Sequence, residues 1–244
     1  MRYQNCIFDL YGTLVDIHTD EDDPQLWEAM ADCYTRRGAV YRGQELHTAY
    51  RRAAAEAEGT APLSCDAHEA HPEIRLELVF QQLFRAKGVD AELEEAIQTG
   101  RHFRALSTRY IRTYDGAKEL LGALRAQGCG VWLLSNAQSI FTRWELERLG
   151  LTAFFNGIYL SSDYGVKKPD PRFFQILLQE RDIPPESAVM IGNDGVCDIR
   201  GGKAAGLKTL YIHSNISPDE PMPDADFVLE EMDLKRVRDI LTGN

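Results

Sequence analysis

In the second half of the chain the apolar positions change period in a regular rhythm. From Asp115, read as the cap of an amphipathic helix through Ala126 that Gly128 closes, the chain passes into the wholly apolar strand Val131–Leu134. A helix through Glu145 and Leu149 follows, then a strand at Ile158–Leu160 and a helix over roughly Pro171–Glu180. Next come a strand at Ala188–Ile191, a helix near Ile199–Ala205, strands at Thr209–Ile212 and Phe227–Leu229, and a last helix. Strands that read as apolar runs and alternate with helices predict a doubly wound parallel sheet covered on both faces, an α/β fold.

Cys6–Phe8 has the same character, yet about a hundred residues separate it from the helix that begins at Asp115. Those residues carry helical spacing instead. Pro24–Arg37, Gln44–Glu58, Pro72–Lys87 and Ala91–Leu106 each read as helices, broken at Gly38, Gly59 and Gly88. The expected organisation is an α/β core from residues 1–16 and 109–244, with an inserted all-helical domain over 17–108. Trp27 and the other aromatic residues of the insert fall on apolar helical faces and read as its core.

Charge narrows the function. The chain carries 27 Lys and Arg against 38 Asp and Glu, a net charge of −11, so its field repels nucleic acid and anionic membrane surfaces. The expected partner is a small molecule, with no nucleic acid and no membrane. The five cysteines are odd in number and form no Cys-x-x-Cys pair, which argues against a disulfide framework and for a reducing, cytoplasmic setting. The apolar segment before Asp9 is too short for a signal peptide. Nothing in the pattern sets an oligomeric state.

In an open α/β sheet, ligands sit beyond the carboxyl ends of the strands, and four such ends here carry chemistry. After the first strand comes Asp9-Leu10-Tyr11-Gly12-Thr13-Leu14; after Val131–Leu134 comes Ser135-Asn136. Beyond the Ile158 strand lies Lys167-Lys168-Pro169-Asp170-Pro171, and beyond Ala188–Ile191 lies Gly192-Asn193-Asp194, with Asp198 four residues on. Each has a plainer reading: Asp9 and Thr13 as turn residues, Ser135, Asp194 and Asp198 as helix caps, Lys168 as a solvated side chain. Their order along the chain favours a shared crevice.

These motifs, from Asn5 to Tyr211, resemble the haloacid dehalogenase-like (HAD) hydrolase superfamily, with the helical insert where that family carries its C1 cap. The resemblance implies a Rossmann-like core and nucleophilic catalysis: Asp9 attacks phosphorus and forms an aspartyl-phosphate that water cleaves. It further implies that Ser135, with Asn136 and Gly12, holds the substrate phosphate, that Thr13 adds a hydroxyl near Asp9, and that Lys168 offsets the charge of Asp9 and phosphate. Mg²⁺ would lie between the Asp9 carboxylate, the Tyr11 backbone oxygen and Asp194, with Asp198 beside it. The substrate would be a small phosphate monoester.

Two positions depart from the phosphatase pattern. Most phosphatases of the family carry Asp two residues after the nucleophile, as the acid for the leaving alcohol; here Tyr11 stands there, a phenol whose ordinary pKa is ~10. Asn193 occupies a position that is usually acidic. Asp-x-Tyr-Gly-Thr also resembles the 2-haloacid dehalogenases, in which Asp9 would displace halide from carbon, although their Ser-x-Asn-x-x-Asp run is absent here and Arg36 and Arg37 lack the flanking pattern of their cap. A dehalogenase and a weakly catalytic phospho-ligand-binding protein therefore stand as alternatives. The stretch Cys65-Asp66-Ala67-His68-Glu69-Ala70-His71 mixes metal-ligating types without a zinc-site spacing, and reads as a cap loop near the active-site mouth.

Overall fold

A computed structural model describes residues 3–60 and 73–243. Six parallel strands make the sheet: β1 (Asn5–Phe8), β4 (Gly130–Ser135), β5 (Gly157–Leu160), β6 (Ala188–Gly192), β7 (Lys208–Ile212) and β8 (Phe227–Leu229), in the order β5-β4-β1-β6-β7-β8. The chain builds outward from β1 to one side through β4 and β5, then returns to β6 on the other. The reversal leaves a crevice beyond the ends of β1, β4 and β6, where Phe8 pairs with Leu133 and with Ile191.

Alternation along the strands explains why both faces are covered. Cys6, Phe8, Val131, Leu133, Val189 and Ile191 pack with Leu120, Leu121 and Leu124 of α5 (Ala117–Ala126) and with Val237 and Leu241 of α10 (Leu234–Thr242). Ile7, Leu134, Ala188 and Met190 point the other way, against Phe173, Phe174 and Leu177 of α8 (Pro171–Glu180).

The inserted helices are α1 (Pro24–Thr35), α2 (Gly43–Thr60), α3 (Leu76–Arg85) and α4 (Leu93–Ser107). Asp23 caps α1 by accepting from the Gln25 N–H, with Pro24 at the first helical position. Trp27, Tyr34, Leu46, Phe80, Phe84 and Phe103 close a second core, which Ile140 and Phe141 of α6 (Ser139–Arg148) enter from the α/β side. Two features depart from the sequence pattern here. Helix α3 starts at Leu76, later than the sequence pattern predicts: residues 73–75 carry no regular structure, Arg75 is extended, and Gln138 Oε1 takes the Leu76 N–H at 3.1 Å. An antiparallel ribbon of β2 (Val15–Thr19) and β3 (Thr108–Thr113) joins insert to core, across the positions where the boundaries were expected. Among the described residues no helix is long and apolar enough to cross a membrane. The Cys65–His71 stretch lies outside the described residues.

Candidate active site

The turn after β1 aims Asp9 at its neighbours because it closes on itself. Leu14 and Val15 donate their N–H groups to the Leu10 carbonyl, and the Gly12 N–H bonds Val15 O at 2.8 Å. Gly12 has φ 84°, and a Cβ there would lie 2.3 Å from Asn193 Nδ2, so only glycine lets this loop approach the loop after β6. Thr13 is buried and donates to Asn193 Oδ1 at 3.2 Å, and Asn193 Nδ2 reaches Ser217 Oγ at 3.4 Å. The amide at the usually acidic position thus braces two loops.

Around Asp9 the expected residues converge. Asp9 Oδ1 accepts from Ser135 Oγ at 3.0 Å and from Lys168 Nζ at 2.9 Å, and the same Nζ donates to Asp198 Oδ1 at 2.6 Å. Of the adjacent lysines, Lys168 is the one beside Asp9, wholly buried, while Lys167 lines a cavity on the insert side. Asn136 holds Lys168 in place by its main chain: Nδ2 donates to the Lys168 carbonyl and Oδ1 accepts its N–H, both at 2.8 Å. Asp194 Oδ1 caps the π-helical turn Gly195–Arg200 through the Val196 and Cys197 N–H groups. The wide turn swings Asp198 back, so that its Oδ2 takes the Asp194 N–H at 3.0 Å. Gly192 is required beneath it, since a Cβ there would sit 2.1 Å from Asp198 Oδ2.

Asp9, Ser135, Asn136, Lys168, Asn193, Asp194 and Asp198 line one cavity of about 250 Å³ with Tyr11. Three carboxylates face a single ammonium. Burial pushes the Asp198 carboxyl up to about 7, Lys168 pulls it down, and Asp9 and Asp194 raise it further. Burial disfavours the charge on Lys168, yet Asp198 and Asp9 outweigh it and hold the ammonium well above its usual range.

The donor set bears on a metal. Among the described residues no three His, Cys, Asp or Glu side chains are gathered tightly enough to hold an ion by themselves. Mg²⁺ does not ask for that: it keeps several waters and uses one or two carboxylates. Hard oxygen donors that outnumber the one ammonium among them fit such an ion.

Tyr11 points elsewhere. Its hydroxyl donates to Glu145 Oε2 and lies 3.0 Å from Thr142 Oγ1, both on α6, and burial followed by the Glu145 charge pushes the phenol well up. Arg104 of α4 donates from Nε to Glu145 Oε1 at 2.7 Å, with its guanidinium 5.6 Å from the Tyr11 ring centre. Glu145 and Arg104 were not picked out from the sequence. A signal existed: Thr142 and Glu145 share the buried face of α6 with Ile140, Phe141 and Leu146, where a charge needs a partner.

Residues 3–206 match the family of haloacid dehalogenase-like hydrolases. The chain belongs to that family. Among curated relatives, it is 30% identical over 160 residues to a phosphoserine phosphatase of Thermus thermophilus, a match covering 63% of this chain and 64% of that protein. The matched stretch thus spans less than two thirds of that relative's length. Among solved structures, a HAD phosphatase from Thermococcus onnurineus superposes with TM-score 0.61 at 22% identity, and a 2-haloacid dehalogenase from Pseudomonas syringae with TM-score 0.63 at 20% identity. Each alignment covers 99% of both chains. At these identities the likeness of this HAD-like hydrolase to both is one of fold.

Proposed function

We propose that the chain hydrolyses small-molecule phosphate monoesters through an aspartyl-phosphate on Asp9, with residues 17–108 acting as the cap that closes over the crevice. The observation that carries this reading is the Asp9–Lys168–Asp198 arrangement in a cavity shared with Ser135 and Asp194. A carboxylate oxygen of Asp9 attacks phosphorus in line; the P–O bond to the leaving group breaks, and its electron pair departs on the leaving oxygen, which takes a proton from water. Water then attacks the phosphorus of the acyl phosphate, returning the carboxylate and releasing inorganic phosphate. Ser135 and Lys168, now bonded to Asp9, are placed to hold the oxygens of the transferring group and balance their charge. Asn136 fixes Lys168 for that task, and Gly12 and Thr13 keep the nucleophile loop against Asn193. A bound Mg²⁺, held by Asp9, the Tyr11 carbonyl and Asp194 with Asp198 beside it, would supply the positive charge that admits an anionic substrate to this acidic cavity. The phosphatase activity of the Thermus relative supports the same chemistry.

Tyr11 favours a second reading, halide displacement from a 2-haloacid, because its hydroxyl is spent on Glu145 and halide leaves without a proton. The two readings separate in one experiment with p-nitrophenyl phosphate and 2-chloropropionate in parallel, with Mg²⁺ or a chelator. Phosphate release that needs Mg²⁺ and disappears in Asp9→Asn is the expected result; halide release indifferent to the chelator would replace phosphoryl transfer by dehalogenation. Ligand-induced thermal stabilisation without either product would mark a binding protein.

A further inference from the structure

Among the described residues, polar contacts between insert and core fall at Gln138, which precedes α6, and at two places on α6 itself. Gln138 donates to Glu73 Oε1 at 2.8 Å and to the Ile74 carbonyl at 2.9 Å; Arg101 of α4 donates to the Ile140 carbonyl at 3.2 Å; Arg104 of α4 pairs with Glu145. Of the three, the last also touches the loop that carries the candidate nucleophile, because Tyr11, two residues from Asp9, closes on the other Glu145 oxygen. Gly100 of α4 sets the approach: a Cβ there would stand 2.8 Å from Ile140 Cδ1 and 2.9 Å from Phe80, so α4 meets α6 across a gap with no room for a side chain.

Arg104 and Glu145 are 13% and 3% exposed, and each Glu145 oxygen has a donor, the guanidinium on Oε1 and the phenol on Oε2, while Glu21 is a second carboxylate that feels the charge of Arg104. Arg104 also lies 5.4 Å from the Phe141 ring centre, so its guanidinium sits over an aromatic side chain of α6 while its Nε bonds Glu145. A charge pair of this kind exists only while the cap is docked, since withdrawing α4 strands the Glu145 carboxylate and with it the anchor of the Tyr11 ring.

We propose that Arg104, Glu145 and Tyr11 form a closure latch, in which docking of Arg104 fixes Glu145, Glu145 fixes Tyr11, and Tyr11 steadies the Asp9–Val15 turn. Arg104 and Glu145 are then positioning residues for chemistry at Asp9, acting through Tyr11 without touching the reacting atoms. The catalytic half of this inference rests on the hydrolase reading of Asp9; the mechanical half does not.

Hydrogen exchange resolved to single amides tests the mechanical half, on the full chain. In Arg104→Met the amides of Gly12, Leu14 and Val15, all bonded within the turn, exchange on the order of tenfold faster, and Arg104→Lys recovers part of their protection. The double variant Arg104→Met with Glu145→Met removes both charges, regains the melting temperature, and keeps the fast exchange. With p-nitrophenyl phosphate and Mg²⁺, kcat falls in Arg104→Met and in the double variant by roughly ten- to a hundredfold while KM changes less, because the loss is one of alignment. Unchanged exchange in the turn overturns the latch. So does a double variant in which stability, exchange and kcat all return together, since that pattern belongs to a pair that merely holds the fold. A wild-type protein that releases no phosphate defeats the hydrolase reading alone, and the exchange data still decide the latch.

Discussion

Two buried ion clusters flank the Asp9–Thr13 loop, and they are built on opposite terms. On the sheet side, Lys168 is shared between Asp9 and Asp198 with Asp194 lining the same cavity, so negative charge is in excess and Asp198 is pushed up to about 7 by burial and by its acidic neighbours. On the side of the inserted helices, the buried charges of Arg104 and Glu145 pair one to one, the neutral Tyr11 hydroxyl completes the set, and the exposed Glu21 feels the same guanidinium from outside. An excess of one sign around a cavity is a demand for a ligand of the other sign; a balanced cluster demands nothing and serves to hold parts in place. That contrast is why the proposed chemistry sits at Asp9 and the proposed closure at Arg104.

The contrast breaks most directly at the nucleophile. Asp9→Asn is expected to lower phosphate release on the order of 10³-fold or more with a folded protein by circular dichroism. The next effect is one of stability, read by urea unfolding with metal chelated. Glu145→Gln leaves Arg104 buried without its paired counter-charge and is expected to cost about 3–5 kcal/mol, whereas Asp198→Asn removes a buried charge in an acidic cavity and at neutral pH is expected to be no less stable than wild type. Equal losses in the two variants would erase the distinction between surplus and balance.

How much of this was legible beforehand follows the same division. The strand ends with their short motifs stood out because β1, β4 and β6 are buried on both faces, which makes each an apolar run stopped abruptly by Asp9, Ser135 or Asn193. The aromatic core of the insert was equally visible, because Trp27 and the other aromatic residues of the insert fall on apolar helical faces. The β2–β3 ribbon was not: Thr108–Thr113 has only intermediate and exposed positions, so no apolar period marks it. Nor does Asp115 cap α5, for Gly116 at φ 86° precedes Ala117 and turns the chain into the helix by its left-handed backbone. The latch was hidden for a different reason. Arg104, Glu145 and Tyr11 are distant in sequence, and Glu145 among the apolar positions of α6 signals the need for a partner without saying which residue supplies it.

Smaller tests sharpen the picture. Tyr11→Phe removes one hydrogen bond to a charged acceptor and is expected to cost about 1–3 kcal/mol, seen as a lower urea midpoint with an unchanged slope. Acidity gives a subtler signature. Asp198 titrates near 7 in the folded chain against about 3.8 unfolded, so the folded state holds the extra proton between those values. Its contribution to stability is therefore fullest below about pH 4 and is lost as pH rises through 7. In chelator the stability of wild type, taken relative to Asp198→Asn, should fall over that window. Millimolar Mg²⁺ at pH 7.5 should raise the melting temperature of wild type by a few degrees, and that of Asp194→Asn by less.

The most direct measurement is to quench the protein in acid during turnover of p-nitrophenyl phosphate with Mg²⁺ and map the modified peptide by mass spectrometry. The expected result is one phosphoryl group on Asp9, absent in Asp9→Asn. Continued phosphate release by Asp9→Asn, or a phosphoryl group on any other side chain, would contradict nucleophilic attack by that carboxylate.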